Sequence, residues 1–204
     1  MFRILTVARE FGSGGAAIAQ KVADTLQWNL LDKALIDKIA RAARVDAVTA
    51  RQCDERVDSW VHRMSRRGLW HGAFEGVAAV TDADFFDAET MAAVAREVIT
   101  EAASTGNCVI VGRGAQCALQ NHPDTLHVFV YAPWAQRVAR IRARVPAAKD
   151  IDELIQATDQ ERASYIRTYF GSDWKNPHLY HMMVSSQLGE DNVVRLIIDA
   201  IERG

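Results

Sequence analysis

The sequence predicts an α/β fold in which a largely parallel sheet lies between layers of helices. Short β-branched and apolar runs alternate along the chain with longer segments whose apolar residues recur at helical spacing. A glycine cluster, Gly12-Ser13-Gly14-Gly15, joins the first such run directly to the first helical segment. Two further loops rich in glycine or arginine follow later strand-like runs, and ligands of parallel sheets bind beyond the carboxyl ends of the strands.

The elements follow in order. Residues 3–8 (RILTVA) read as a buried strand, and Ile18, Ala19, Val22, Ala23 and Leu26 mark the helix after the glycine cluster. Leu35, Ile36, Ile39 and Ala40 give residues 34–43 a helical pattern. Residues 46–65 carry Val48, Cys53, Val57, Trp60, Val61 and Met64 on one broad stripe. Gly68, Gly72 and Gly76 then loosen the pattern, and a mobile segment is expected there. Residues 88–104 return to helix, with Met91, Val94, Ala95, Val98 and Ile99 as its apolar face. Residues 108–111 (CVIV) form a second buried strand, stopped by Gly112-Arg113-Gly114, and residues 126–131 (LHVFVY) a third. Pro133 opens a helix at its first turn, where the missing N–H costs nothing. A polar helix over 150–168, a last strand at 182–185 and a closing helix with Val193, Leu196, Ile197 and Ile201 complete the chain. Strands alternating with helices imply right-handed crossovers.

The bulk composition excludes several classes. The net charge of −2 carries no excess of positive charge for a polyanion, so no nucleic-acid partner is expected. Cys53, Cys108 and Cys117 are odd in number and form no CxxC pair, which argues against a disulfide framework or a zinc site. No apolar run approaches the length of a membrane span, and the first residues run into a strand pattern without a signal-peptide layout. A reduced, cytoplasmic protein without a membrane partner is the expectation. The histidines show no HxxxH spacing, and no metal-ligand set is expected.

The segment from Arg9 to Ala17 stands where a phosphate-binding loop should be. Glycines let the backbone turn tightly and aim its N–H groups inward, and the following helix adds the positive end of its dipole. The full motif is G-x-x-x-x-G-K-[ST]. Here Gly15 takes the lysine's place, and the hydroxyl that would bind Mg²⁺ falls at Ala16, or at Ala17 in the G-K-G-T variant. A plain glycine turn joining strand to helix is the alternative reading.

The stretch LTVAREFGSGGAAIAQKVADTLQWNLLDKALI resembles the start of the cytidylate kinase-like family, whose members read S-R-E-Y-G-S-G-G-x-x-I-A. The resemblance continues at Val109-Ile110-Val111-Gly112-Arg113-Gly114-Ala115, at Asp159-x-x-Arg162 and at Tyr169-Phe170-Gly171-Ser172-Asp173-Trp174. It implies a three-layer fold of the P-loop NTPase type with a parallel sheet, a helical acceptor-side insertion and a lid. The chain is then one kinase-like domain, with 1–44 and 88–204 as core, 45–87 as insertion and a lid at about 134–175. The implied activity is phosphoryl transfer from ATP to a nucleoside monophosphate, cytidine monophosphate first, with Mg²⁺ held mainly by nucleotide oxygens and water. The alternative is a non-catalytic nucleotide sensor on the same fold, favoured by the missing lysine.

The resemblance also implies roles. Gly12, Ser13, Gly14 and Gly15 would wrap donor phosphates, and Asp32 would lie near the acceptor nucleotide. Arg113, in its pair with Gly112, would contact the acceptor phosphate. Asp159 and Arg162 would serve around the cytidine monophosphate. Arginines of the helix after Pro133 would close over the transferred group. Arginine suits that work because its planar fork stays charged and binds phosphate in a bidentate way. Arg137, Arg140 and Arg144 recur at three- and four-residue steps and can share one helix face, whether toward a ligand or toward solvent. Arg9 either supplies the charge of the missing lysine or forms a salt bridge. Asp32 either serves the acceptor, holds Lys33 or caps the next helix. Cytidylate kinases have Asp after the glycine-arginine pair and an arginine upstream of the aspartate–arginine pair; here Gly114 and Ile155 stand there. Residues 45–90 match no familiar pattern, and the acceptor-side lobe or a homodimer contact are their two readings.

Overall fold

The computed structural model describes residues 1–33, 36–37, 88–148 and 150–204. The helical reading over 34–43 apart from residues 36–37, that over 46–65, the glycine-loosened segment and the lobe or dimer contact at 45–87 lie outside the described residues.

The chain runs β1 (Ile4–Arg9), α1 (Gly15–Leu26), β2 (Asn29–Leu31), α2 (Ala88–Thr105), β3 (Cys108–Val111), α3 (Ala115–Ala118), β4 (Thr125–Tyr131), α4 (Trp134–Arg144), α5 (Ile151–Phe170), β5 (Met182–Ser185) and α6 (Glu190–Arg203). The strands form one parallel sheet in the order β2-β3-β1-β4-β5, with β1 at its centre. The four predicted strands are present. The sequence reading missed β2, whose three residues are too few to show a period. It follows Gln27, which ends α1 in the left-handed region at φ 54° while Trp28 N donates to Ala23 O at 2.8 Å.

Alternation along β1 sets the layers. Leu5 and Val7 face one side, where Ile18 and Val22 of α1 and Val193 and Ile197 of α6 cover them. Ile4 faces the other side, against Ala95, Val98 and Ile99 of α2. Ala8 and Phe129 face Ile166 of α5 together with Trp174, Leu179 and Tyr180. Each valine, leucine, isoleucine or phenylalanine among them taken fully from water contributes about 1.5–3 kcal/mol. Asp150 caps α5, its side chain accepting from Glu153 N at 2.9 Å, and Gly171 ends that helix at φ 62°. No described helix is long and apolar enough to cross a membrane.

Candidate phosphate-binding site

The carboxyl ends of β1, β3 and β4 deliver three loops to one edge of the sheet, as parallel topology requires. The loop after β1 is the glycine cluster. Gly12 and Gly14 take φ of 79° and 83°, which only glycine adopts without strain. Ser13 N donates to Glu10 O at 3.2 Å and the buried Ser13 hydroxyl accepts from Gly15 N at 3.4 Å. The amides of Gly14, Ala16 and Ala17 have no acceptor among the described residues. They open the first turn of α1, so these donors lie at the positive end of the helix dipole.

The helices α4 and α5 hold this loop from above. Arg137 is buried, not on a solvated face. Its Nε donates to Phe11 O at 2.7 Å, its Nη1 stands 3.4 Å from Glu10 Oε2, its Nη2 pairs with Asp159, and its guanidinium lies 5.2 Å from the Trp134 ring. Asp159 in turn accepts from Phe11 N at 2.8 Å. Glu10 also accepts from Lys175 Nζ at 3.0 Å and from Ala132 N at 3.3 Å. Arg140 places Nη1 on Gly12 O, Ser13 O and the Ser186 hydroxyl at 3.1–3.3 Å, beside Gly14 at the loop's mouth. Arg144, expected on the same face, is exposed, as is Arg142.

At the end of β1, where Arg9 precedes the loop, lies a cavity of about 250 Å³ whose walls include Arg9, Lys33, Arg113, Arg162, Tyr165 and Trp174. Arg162 Nη1 donates to Arg9 O at 2.7 Å and its guanidinium lies over the Phe11 ring. Burial, then the like charge of Arg137, lowers the Arg162 pKa, while Asp159 opposes the shift. The Arg9 guanidinium is lowered to about 10, first by burial and then by Arg162, and so keeps its charge at neutral pH. Arg113 pairs with Asp37 and stacks 5.3 Å from the Tyr165 ring, while its buried Nε has no hydrogen-bond partner. Burial raises the Tyr165 hydroxyl. Gly112, Arg113 and Gly114 all take positive φ, at 82°, 52° and 72°, a tight left-handed turn that aims Arg113 off the strand end.

Two departures from the cytidylate kinase pattern acquire physical reasons. A β-carbon on Gly114 would stand 2.2 Å from Phe170 Cε2, so the Phe170 ring excludes a side chain there. Ile155 is fully buried against Ile141 and Ile151, where an arginine would have no solvent.

The structure thus gathers Arg9, Gly12 to Gly15, Gly112, Arg113, Arg140, Asp159 and Arg162 around one edge. Asp32 follows β2, acts electrostatically on Arg9, and accepts from Ile36 N at 3.0 Å through its carbonyl, the backbone role of a helix cap. Sequence reasoning missed Glu10, Lys33 and Tyr165. Tyr165 was within reach, since Thr158, Glu161, Arg162 and Tyr165 line the cavity at the i, i+3, i+4, i+7 steps of one helix face. Among the described residues no group of histidine, cysteine or carboxylate side chains is arranged to hold a metal.

Known proteins place this architecture. A crystal structure of an uncharacterized protein from Eubacterium ventriosum superposes with a TM-score of 0.71 at 20% identity, covering 99% of each chain. Shikimate kinase from Bacteroides thetaiotaomicron does so at 0.52 and 14% identity, covering 98% of each chain, which is a likeness of fold. A cytidylate kinase of Methanosarcina mazei is 26% identical over 104 residues, 48% of this chain and 58% of that enzyme, so the match spans little more than half of the relative. The model of the cytidylate kinase-like family matches residues 4–188, and on that match the chain belongs to the cytidylate kinase-like family.

Proposed function

We propose that this protein transfers the terminal phosphoryl group of ATP to a nucleoside monophosphate, with cytidine monophosphate the first candidate. The observation that carries the reading is the cavity holding Arg9, Arg113 and Arg162 at the carboxyl edge of a parallel sheet, where Arg9 leads directly into the glycine loop. Phosphoryl transfer needs in-line positioning and positive charge more than covalent chemistry from the protein. In the proposed step an oxygen of the acceptor phosphate forms a bond to the γ-phosphorus of ATP. The bond from that phosphorus to the bridging oxygen breaks, and its electron pair leaves with ADP. The attacking phosphate oxygen is ionised at neutral pH, so no protein base is required.

The amides of Gly14, Ala16 and Ala17 and the α1 dipole hold donor phosphates in this reading, and Arg140 stands at the mouth of the cradle. Arg113 receives the acceptor phosphate, and Arg162 neutralises charge between the two. Arg137 and Asp159 act one step back, by fixing the backbone that forms the cradle. Gly15, Ala16 and Ala17 supply no side-chain ligand for Mg²⁺. A magnesium ion would therefore arrive on the donor's own phosphate oxygens and water, and no step is assigned to it.

The missing lysine and hydroxyl favour a second reading, a nucleotide sensor that binds without turnover. A coupled assay of ADP release across the nucleoside monophosphates, run beside calorimetry with each nucleotide, separates the two. Turnover with one monophosphate supports the kinase. Binding without turnover supports the sensor, and neither binding nor turnover removes both.

A further inference from the structure

The phosphate-loop motif begins with a glycine and reaches its lysine six positions later. In this chain those two positions hold Arg9 and Gly15, so the cation and the glycine have changed places. The structure shows that the two substitutions depend on each other. A β-carbon on Gly15 would stand 2.6 Å from Arg9 Cβ and 3.1 Å from Arg9 Cγ, closer than packed carbons approach. The arginine stem thus uses the space that a lysine at position 15 would need. At its far end, Arg9 Nη1 would lie 2.4 Å from a β-carbon on Gly112. The side chain therefore runs from the start of α1 to the turn after β3, along the wall of the cavity.

Among the described residues the Arg9 guanidinium has no direct polar partner, and Asp32 acts on it only through its charge. None of the hydrogen bonds donated by described side chains comes from it, and no described carboxylate oxygen lies within 4.0 Å of it. Its backbone is nonetheless fixed, since Arg162 bonds Arg9 O at 2.7 Å and the strand pairs with Val130. A largely buried cation that meets no carboxylate within 4.0 Å among the described residues is costly unless an anion reaches it.

We propose that Arg9 is the cation of this phosphate loop, entering from the strand side in place of the lysine on the helix side, and that its guanidinium contacts the terminal phosphate of the donor on the face turned to the acceptor cavity. Gly15 leaves the space that the arginine stem needs, and Gly112, which its φ of 82° already requires to be glycine, leaves room for the guanidinium. The inference rests on the nucleotide-binding reading above and specifies which side chain of that site meets the transferred group.

The test uses four variants of the whole chain. Arg9→Met keeps the stem and removes the charge, Arg9→Lys keeps the charge, Gly15→Lys adds a lysine against Arg9, and Arg9→Gly with Gly15→Lys restores the ordinary order. Calorimetry with ATP and with ADP reads the terminal phosphate without requiring turnover. Wild type is expected to prefer ATP, Arg9→Met to lose that preference, and Arg9→Lys to keep part of it. Turnover of Arg9→Met, where wild type turns over, should fall by about 10³ to 10⁵-fold, the scale for losing an arginine from a phosphoryl-transfer site. Gly15→Lys alone should lower the melting temperature, and the double exchange should recover both the melting temperature and ATP preference. Unchanged ATP preference in a folded Arg9→Met overturns the inference and leaves the kinase reading standing. So does a Gly15→Lys protein as stable as wild type. If the double exchange does not fold, Arg9→Met and Arg9→Lys decide by themselves. Wild type binding neither nucleotide removes the underlying reading, and the inference with it.

Discussion

Arg137 and Asp159, from consecutive helices α4 and α5, pair with each other and hold the peptide of Phe11 from both sides. Arg137 Nε donates to Phe11 O at 2.7 Å and Asp159 Oδ1 accepts from Phe11 N at 2.8 Å. The loop that forms the cradle is thereby part of the α4–α5 packing, and its shape does not depend on the glycines alone. Breaking one side of a buried ion pair leaves an uncompensated charge and costs about 3–5 kcal/mol. Arg137→Met should therefore lower stability on that scale in urea unfolding and weaken ATP binding with it. A loss of turnover at unchanged stability would instead place Arg137 on the transferred phosphate.

Arg113 is held by Asp37 and by the Tyr165 face, so it is oriented before any ligand arrives. Its contact would exist both before and during transfer. Arg113→Ala should raise KM for the acceptor and lower kcat together, with kcat/KM falling about 10² to 10³-fold. Affinity for ATP, measured by calorimetry, should change little. An equal loss of ATP and acceptor binding would mean that the turn at 112–114 had collapsed.

Gly114 carries a φ of 72° and faces the Phe170 ring. Gly114→Asp, which restores the residue of cytidylate kinases, should cost about 2–4 kcal/mol from left-handed strain and overpacking. Combining it with Phe170→Ala should return part of that loss in thermal melting. Independent, additive losses would show that Phe170 is not what excludes the side chain.

His127 is buried on β4. Its Nδ1 lies 2.7 Å from the Thr6 hydroxyl, its ring stacks on His181 at 5.1 Å, and its backbone N donates to His181 Nδ1 at 2.9 Å. Burial, then His181 and more weakly His122, lowers its pKa from 6.5 to about 4, against the nearby Leu119 backbone, which raises it. The folded chain keeps this ring neutral where the unfolded chain would protonate it. Between about pH 6.5 and 4 the unfolded state binds more protons, and stability falls as pH falls, by up to about 1.4 kcal/mol per pH unit from this group. Urea unfolding across that window should show the decline, and His127→Gln should flatten it. An unchanged slope would assign the acid sensitivity to other groups.

Local sequence determined the strand–glycine–helix opening, the four longer strands and the helices 88–105 and 151–170. Their apolar periods and caps act over a few residues, and burial on both faces of a parallel sheet leaves continuous apolar runs that can be read directly. It also showed that the loop lacked its lysine and that arginines stood nearby. Tertiary structure alone decided what each arginine does. Arg137 and Arg140 sit three residues apart on one helix face, yet the first is buried in a clamp with Glu10 and Asp159, while the second bonds the loop at its mouth. Spacing along a helix states which side chains share a face, not which carboxylate or carbonyl another element brings to meet them. The relation of Arg9 to Gly15 and Gly112 has the same origin. The absence of a side chain at positions 15 and 112 matters only because two separate features bring them to one arginine: the loop returns Gly15 to the end of its own strand beside Val130, and parallel pairing of β1 with β3 brings up Gly112.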